Sequence, residues 1–281
     1  MRNYFCGWYF KMQSDEKTLA IIPSYHTTAS GNHSSLQFIT DHHVWVVEYP
    51  FEDFHQEKKG LDVSVHGNRF SEQGVRIDLH EPGFEATGEL HFGPWTGLKS
   101  TIMGPFRFVP FMECRHGVWS AFHEVNGSLT LNGEVFDFDH SKGYVEGDRG
   151  YSFPSTYIWT QCLFDRGSLM LSVADIPFGL FHFTGVIGFI HLDGKEYRLG
   201  TYCGAKAVEI GDNSCTIRQG KMEFTAQLVQ SNAHPLKAPV NGAMTRTIRE
   251  SASCTARYQF SIGGERLLDL ESDNASFEFE Y

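Results

Sequence analysis

The chain has 281 residues, enough for one large domain or two of about 140. It carries 23 Lys+Arg against 34 Asp+Glu, a net charge of −11. That balance argues against a nucleic-acid partner, which needs a basic face to release counterions, and against anionic membranes. Hydrophobic residues make up 41% and charged ones 20%, with 24 Phe, 11 Tyr, 5 Trp and 28 Gly. This suits short strands, tight turns and an aromatic-lined interior rather than disorder.

The N-terminus, MRNYFCGWYFKMQ, has no apolar leader region and reads as structure from the start. FEDFHQ allows a short helical turn. LDVSVHGNRFSEQGVRIDLHE and GFEATGELHFG alternate apolar and polar residues, as half-buried strands do. LTLNGEVFDF carries an Asn-Gly hairpin turn, and FIHLDGKEYRLGTY repeats the device with Asp-Gly. TIRQGKMEFTAQLV and ARYQFSIGGERLLDLE do so with Gln-Gly and Gly-Gly, while TRTIRES again allows a helical turn. The longest apolar run, IPFGLFHFTGVIGFI, is too short for a membrane span and contains His182. The expectation is an all-β chain of barrels or sandwiches, without membrane insertion.

A weak repeat divides the chain. Trp8 to Lys11, a polar turn and TLAIIP are echoed by Trp159 to Cys162, a polar turn and SLMLSVADIP. Trp8 and Trp159 are 151 residues apart, Leu19 and Leu169 are 150 apart. Two similar β-domains follow, residues 1–142 and 143–281, with Trp8 and Trp159 expected at equivalent positions. The six scattered cysteines contain no CxxC and read as reduced thiols in a cytoplasmic protein.

The usual catalytic motifs are missing: no G-x-S-x-G, no phosphate-binding glycine loop, no H-E-x-x-H. Fourteen histidines invite a metal. But His42 and His43 are adjacent, and His116 and His123 are seven apart, so neither pair shares a strand face, and no metal or other cofactor is expected. Acids and aromatics concentrate instead in GPFRFVPFMECRHG (104–117), GYVEGDRGYSFP (143–154) and MTRTIRES (244–251). Glu146 and Asp148 are two apart, so in an extended segment they point to one side, where each raises the other's pKa. Tyr157, Trp159 and Gln161 share a strand face. Structural readings stand beside these: a salt-bridged rim for the first stretch, a charged interdomain loop for the second, a capped strand for the third.

YFCGWYFK, IMGPFRFVPFMECRHGV, GYVEGDRGYSFPSTYIWTQ, SLMLSVADIP, FTGVIGFI, YRLGTYCGA and APVNGAMTRTIRES resemble, in order and over nearly the whole chain, recurring blocks of the tocopherol cyclase family. The resemblance implies two lipocalin-like antiparallel β-barrel domains packed together. The family's opening has Glu where this chain has Cys6, and its central block has Trp where this chain has Arg149. A Trp there would stabilise a cation through its π face; an Arg repels one.

Such a cyclase adds a phenol oxygen across an alkene, which needs an aromatic pocket, a carboxylic acid kept protonated by burial, and a group that positions the phenol. Asp148 is expected as proton donor with Glu146 as its partner, and Glu113 and His116 as further catalytic groups. Trp8, Tyr9, Phe111 and Trp159 would wall the pocket, and Gln161, Arg246 and Glu250 would hold a ligand oxygen. The expected partner is a small hydrophobic molecule. A lipocalin-like carrier with no chemistry is the alternative, and a hydrolase or lyase a third reading. The sequence leaves oligomeric state open.

Overall fold

The computed structural model describes residues 3–281 apart from residues 30, 111, 179–180, 232–233 and 241, and omits the side chains of 177–178, 181, 236–237 and 249–251. Every described strand pairing within the sheets is antiparallel. The first sheet contains β1 (Tyr4–Gln13), β2 (Thr18–Thr28), β3 (Gly31–Thr40), β4 (Val44–Pro50), β5 (Phe54–Gln56), β6 (Asp62–Val65), β7 (Asn68–Ser71), β8 (Gly74–Glu81), β9 (Phe84–Phe92), β10 (Cys114–Leu131), β11 (Glu134–Asp137) and β12 (Ser141–Gly150). The second contains β13 (Tyr157–Phe164), β14 (Gly167–Phe178), β15 (Phe181–Leu192), β16 (Lys195–Gly200), β17 (Lys206–Gly211), β18 (Ser214–Gln219), β19 (Met222–Gln230), β20 (His234–Val240), β21 (Ala243–Ile262) and β22 (Glu265–Glu280).

The strand order of the first sheet is β4-β3-β2-β1-β12-β10-β9-β8-β7-β6-β5, and of the second β16-β15-β14-β13-β22-β21-β19-β18-β17. One plan serves both. The opening strand of each half lies between the second strand and the last, which leaves β4 and β5 at the ends of the first path and β16 and β17 at the ends of the second. The fold is all-β and lipocalin-like, as expected. Local turn chemistry sets the hairpins: Asn132 (φ 47°) and Gly133 (φ 85°), like Asp193 (φ 51°) and Gly194 (φ 74°), take the paired positive angles of a type I′ turn.

Three expectations need correction. The changeover between halves does not fall at 142/143: β12 pairs with β1 and β10 in the first sheet, and the second begins at Tyr157. TRTIRES is extended, inside β21, and only Phe51–Asp53 of FEDFHQ makes a 3-10 turn. Trp8 and Trp159 lie on corresponding strands but not at equivalent positions. Met12 pairs with Leu19 and Cys162 with Leu169, so the hairpin registers match at an offset of 150. Trp8 therefore corresponds to Ile158, and Trp159 to Tyr9. One residue of slip reverses the face.

Two compact units emerge. The first holds the chain through Leu98, Cys114–Ser152 and Lys237–Arg246; the second holds Lys99–Glu113, Phe153–Leu236 and Thr247–Tyr281. In the first, alternation along β1 directs Cys6, Trp8, Phe10 and Met12 into a core with Leu19, Ile21, Leu36, Phe38 and Val145. In the second, Ile158 and Cys162 join Leu169, Leu171, Val173, Tyr258 and Phe277. Each fully buried large side chain contributes roughly 1.5–3 kcal/mol. The opposite faces of β1 and β13 are also buried, yet they carry Tyr9, Lys11 and Gln13, and Trp159 and Gln161. Polar residues hidden on the side away from the core place the chemistry there.

All six cysteines are free. Burial pushes the Cys6 and Cys215 thiols up to about 12, and only Cys203 is exposed. A thiol reagent should therefore find one fast group in native protein, Cys203, and six after denaturation without reductant. A count below six on denaturation would contradict the free thiols.

Candidate functional site

Three strands of the first unit build the site. β12 alternates Tyr144, Glu146 and Asp148 onto the face away from the core, while Val145 and Gly147 face inward. β1 sets Lys11 opposite Tyr144, Tyr9 opposite Glu146 and Gly7 opposite Asp148. β10 sets His116 opposite Asp148. Gly147, between the two acids, is needed for close approach: a Cβ there would lie 2.9 Å from the Gly7 carbonyl oxygen and 3.0 Å from Trp8 Cδ1. Trp8 thus packs across Gly147 from the core side.

His116 stands between the two carboxylates. Its Nε2 lies 3.1 Å from Glu146 Oε2 and its Nδ1 3.0 Å from Asp148 Oδ1. The Tyr144 hydroxyl donates to Glu146 Oε2 at 2.6 Å, and the Cys114 thiol donates to Asp148 Oδ1 at 3.2 Å. Burial alone would lower the His116 pKa; Glu146 and then Asp148 override it and hold the imidazole well above its ordinary value. Burial, reinforced by Glu146, raises the Tyr144 phenol well above its ordinary value, so it stays a donor. The result is a charged imidazolium hydrogen-bonded to Asp148 through Nδ1 and in ion-pair contact with Glu146 at Nε2, without hydrogen-bond geometry there. The Glu146 side chain is 5% exposed and that of Asp148 is 25% exposed, so Asp148 is the open end of the chain of contacts.

The ligand atoms of His116, Glu146 and Asp148 lie within 4.8 Å of one another, the composition of a metal-binding set. An ion would need neutral imidazole and one of its two carboxylate contacts broken.

The structure thus unites Asp148, Glu146, His116 and Tyr9, but not by the arrangement expected. The imidazole stands between the two acids. Glu113 is not among them; it precedes β10 and belongs to the second unit, where burial raises its carboxyl and His182 partly offsets that. Trp8 is 4% exposed in the first core, stacked on Phe54 at 6.2 Å, so it is a packing residue rather than a ligand wall. Arg246 lies in the first unit, near the start of β21. Phe111 lies outside the described residues, and so does the side chain of Glu250.

Trp159 and Gln161 do share a face, with Tyr157, in the second unit. Gln161 is fully buried, and among the described residues neither its amide oxygen nor its nitrogen has a hydrogen-bond partner. Beside them Tyr157 donates to Glu278. Two residues escaped the sequence reading. Tyr144 lies two before Glu146, and Lys11 two after Tyr9; period-two counting from residues already chosen would have found both. Lys11 is fully buried on the His116 face.

No protein-family model and no curated protein matches the chain. Solved structures do. CghA with Sch210972 aligns with a TM-score of 0.65 at 11% identity, covering 99% of this chain and 88% of that one. Kievitone hydratase from Nectria haematococca aligns at 0.58 and 11%, covering 99% and 89%. An AttH protein from Nitrosomonas europaea aligns at 0.55 and 11%, covering 100% and 93%. This chain has their fold. At such identity the likeness carries the fold alone, and function rests on the site.

Proposed function

We propose that this protein is an acid-assisted cyclase or isomerase for a small, largely apolar molecule, similar in chemistry to the tocopherol cyclases its sequence blocks resemble. The observation that carries the reading is the His116 imidazolium held between Glu146 and Asp148. In the reaction, Asp148 gives a proton to an alkene carbon, drawing on the proton that His116 shares with it at Nδ1. Glu146, held by Tyr144, keeps the imidazolium anchored through Nε2. A phenol or enol oxygen of the same molecule attacks the cation, and its proton returns to Asp148. The balance is an isomerisation: one C–H and one C–O bond form, one O–H and one π bond break, and no oxidant or reductant is consumed. Tyr9, opposite Glu146 in the strand register, is assigned to ligand contact in this reading. One structural neighbour being named a hydratase, and another having been solved with a small molecule, agree with it.

Turnover in D2O tests the step. A panel of prenylated phenols and polyenes is incubated with the protein, and products are weighed by mass spectrometry. One deuterium on carbon per turnover is expected. Product without carbon-bound deuterium, or tight binding across the panel with no product, would overturn the proposal, the latter in favour of a carrier.

A further inference from the structure

One pair of histidines is hidden from counting along a single strand. His26 and His33 are seven residues apart, which on one strand would put them on opposite faces. The β2–β3 hairpin folds between them, and the register sets His26 directly opposite His33. Alternation along β2 turns Leu19 and Ile21 into the core, and Ser24 and His26 to the other face. There the two imidazoles stack, with centroids 5.4 Å apart and planes inclined by 27°. Neither ring makes a hydrogen bond or an ion pair among the described residues. Rings so placed repel when both are protonated and offer one lone pair each when neutral. A shared metal ion uses both lone pairs.

The spacing is that of two ligands on one ion. Zn2+ lies about 2.0–2.1 Å from an imidazole nitrogen, so at a tetrahedral angle two such ring centres stand about 5 Å apart. His26 is 8% exposed, whereas His33 is exposed. A histidine ring turns easily about its outer torsion, so His33 can bring a nitrogen to bear without moving β2 or β3. Burial, and then His33, lowers the His26 pKa, with Glu48 partly offsetting them. The neutral ring is the ligating form. Glu48 lies on β4 directly opposite Ser35, two residues along from His33 on the same face. The neighbouring hydroxyls of Ser24 and Ser35 bond to each other at 2.9 Å.

We propose that His26 and His33 form a binding site for a divalent transition-metal ion of the Zn2+ type, with Glu48 supplying negative charge beside it and water filling the remaining positions. Imidazole suits Zn2+ and Cu2+, whereas Mg2+ and Ca2+ take oxygen ligands. The site uses none of the residues placed in the acid chemistry and stands whether or not that chemistry does.

Isothermal titration of the full chain with Zn2+ at pH 7.5, against Mg2+, tests it. Zn2+ should bind and Mg2+ should not. His33→Ala and His26→Ala should each weaken this Zn2+ binding by more than the roughly tenfold that loss of even an outer-shell partner brings. His116→Gln, which dismantles the His116–Glu146–Asp148 set, should leave it in place. In proton NMR of the unaltered protein, Zn2+ should move the His26 and His33 Cε1–H resonances together. Far-ultraviolet circular dichroism checks that each variant folds, and the exposed position of His33 makes its variant the milder one. Absence of Zn2+ binding overturns the proposal. So does a Zn2+ titration that is unchanged in both folded His26→Ala and His33→Ala.

Discussion

Asp148→Asn should keep the fold and cut turnover by roughly 10²–10⁴-fold, the usual loss when a general acid is removed. The argument rests on geometry: Asp148 is the exposed end of the contacts running Tyr144–Glu146–His116–Asp148. The variant also has a readout that needs no substrate. Two carboxylates hold the His116 pKa up against burial, Glu146 the more strongly. Each of Glu146→Gln and Asp148→Asn should lower it, the first by more, and the double variant should leave burial to push it below the ordinary value near 6.5. Proton NMR of the imidazole Cε1–H follows this directly. The sign for stability is set by the raised folded pKa. The contribution of charged His116 is complete below about pH 6.5, the unfolded value, and is lost as pH rises through the raised folded value. His116→Gln at neutral pH strands two carboxylates without their cation and should cost about 3–5 kcal/mol in urea melts. A His116 resonance that titrates near 6.5 in the unaltered protein would sink the whole arrangement.

What could be read in advance followed from locality. Asn132-Gly133 and Asp193-Gly194 announce their hairpins because the required backbone angles belong to those residues alone. The pairing of β1 with β12 joins segments more than a hundred residues apart, and no local signal encodes it. That explains the misplaced boundary: Gly143, Gly147 and Gly150 looked like a loop, but they are strand glycines. Gly147 is required by close approach to β1, and a Cβ at Gly143 would meet the His123 ring. TRTIRES misled because charges spaced for a helical turn also fit strand alternation. The site was half legible. Glu146 and Asp148 follow from a spacing of two, but His116 reaches them only across the β10–β12 ladder. Gln161 shares the face of Trp159, as period-two counting gives, and among the described residues its amide has no hydrogen-bond partner.

Gly143→Ala should damage the first unit through a single side-chain clash. An added Cβ would lie 2.3 Å from His123 Nε2 and 2.7 Å from its Cδ2 and Cε1. The ring cannot swing aside. It is 1% exposed, packed on Phe92 at 4.5 Å and Trp95 at 5.7 Å. Ser120 Oγ donates to the Phe122 carbonyl at 2.9 Å, so it accepts from His123 Nδ1–H, also at 2.9 Å. β12 must move instead, with Tyr144 and Glu146 on it, for a loss of about 1–3 kcal/mol or more in urea melts. His123→Ala empties the space, so it should cost less when added to the Gly143→Ala variant than when made in the unaltered chain, a coupling that a double-mutant cycle measures. Additive losses would show that the two residues do not touch. The same histidine makes the fold acid-labile. Its Nε2 is an acceptor with no hydrogen-bond partner among the described residues, and burial lowers its pKa to about 3. A depressed folded pKa means the unfolded chain binds the proton first, so stability falls as pH drops from about 6.5 towards 3, by on the order of 5 kcal/mol in full. His123→Phe should flatten that part of the profile relative to the unaltered protein, and parallel profiles between pH 6.5 and 4 would refute the assignment.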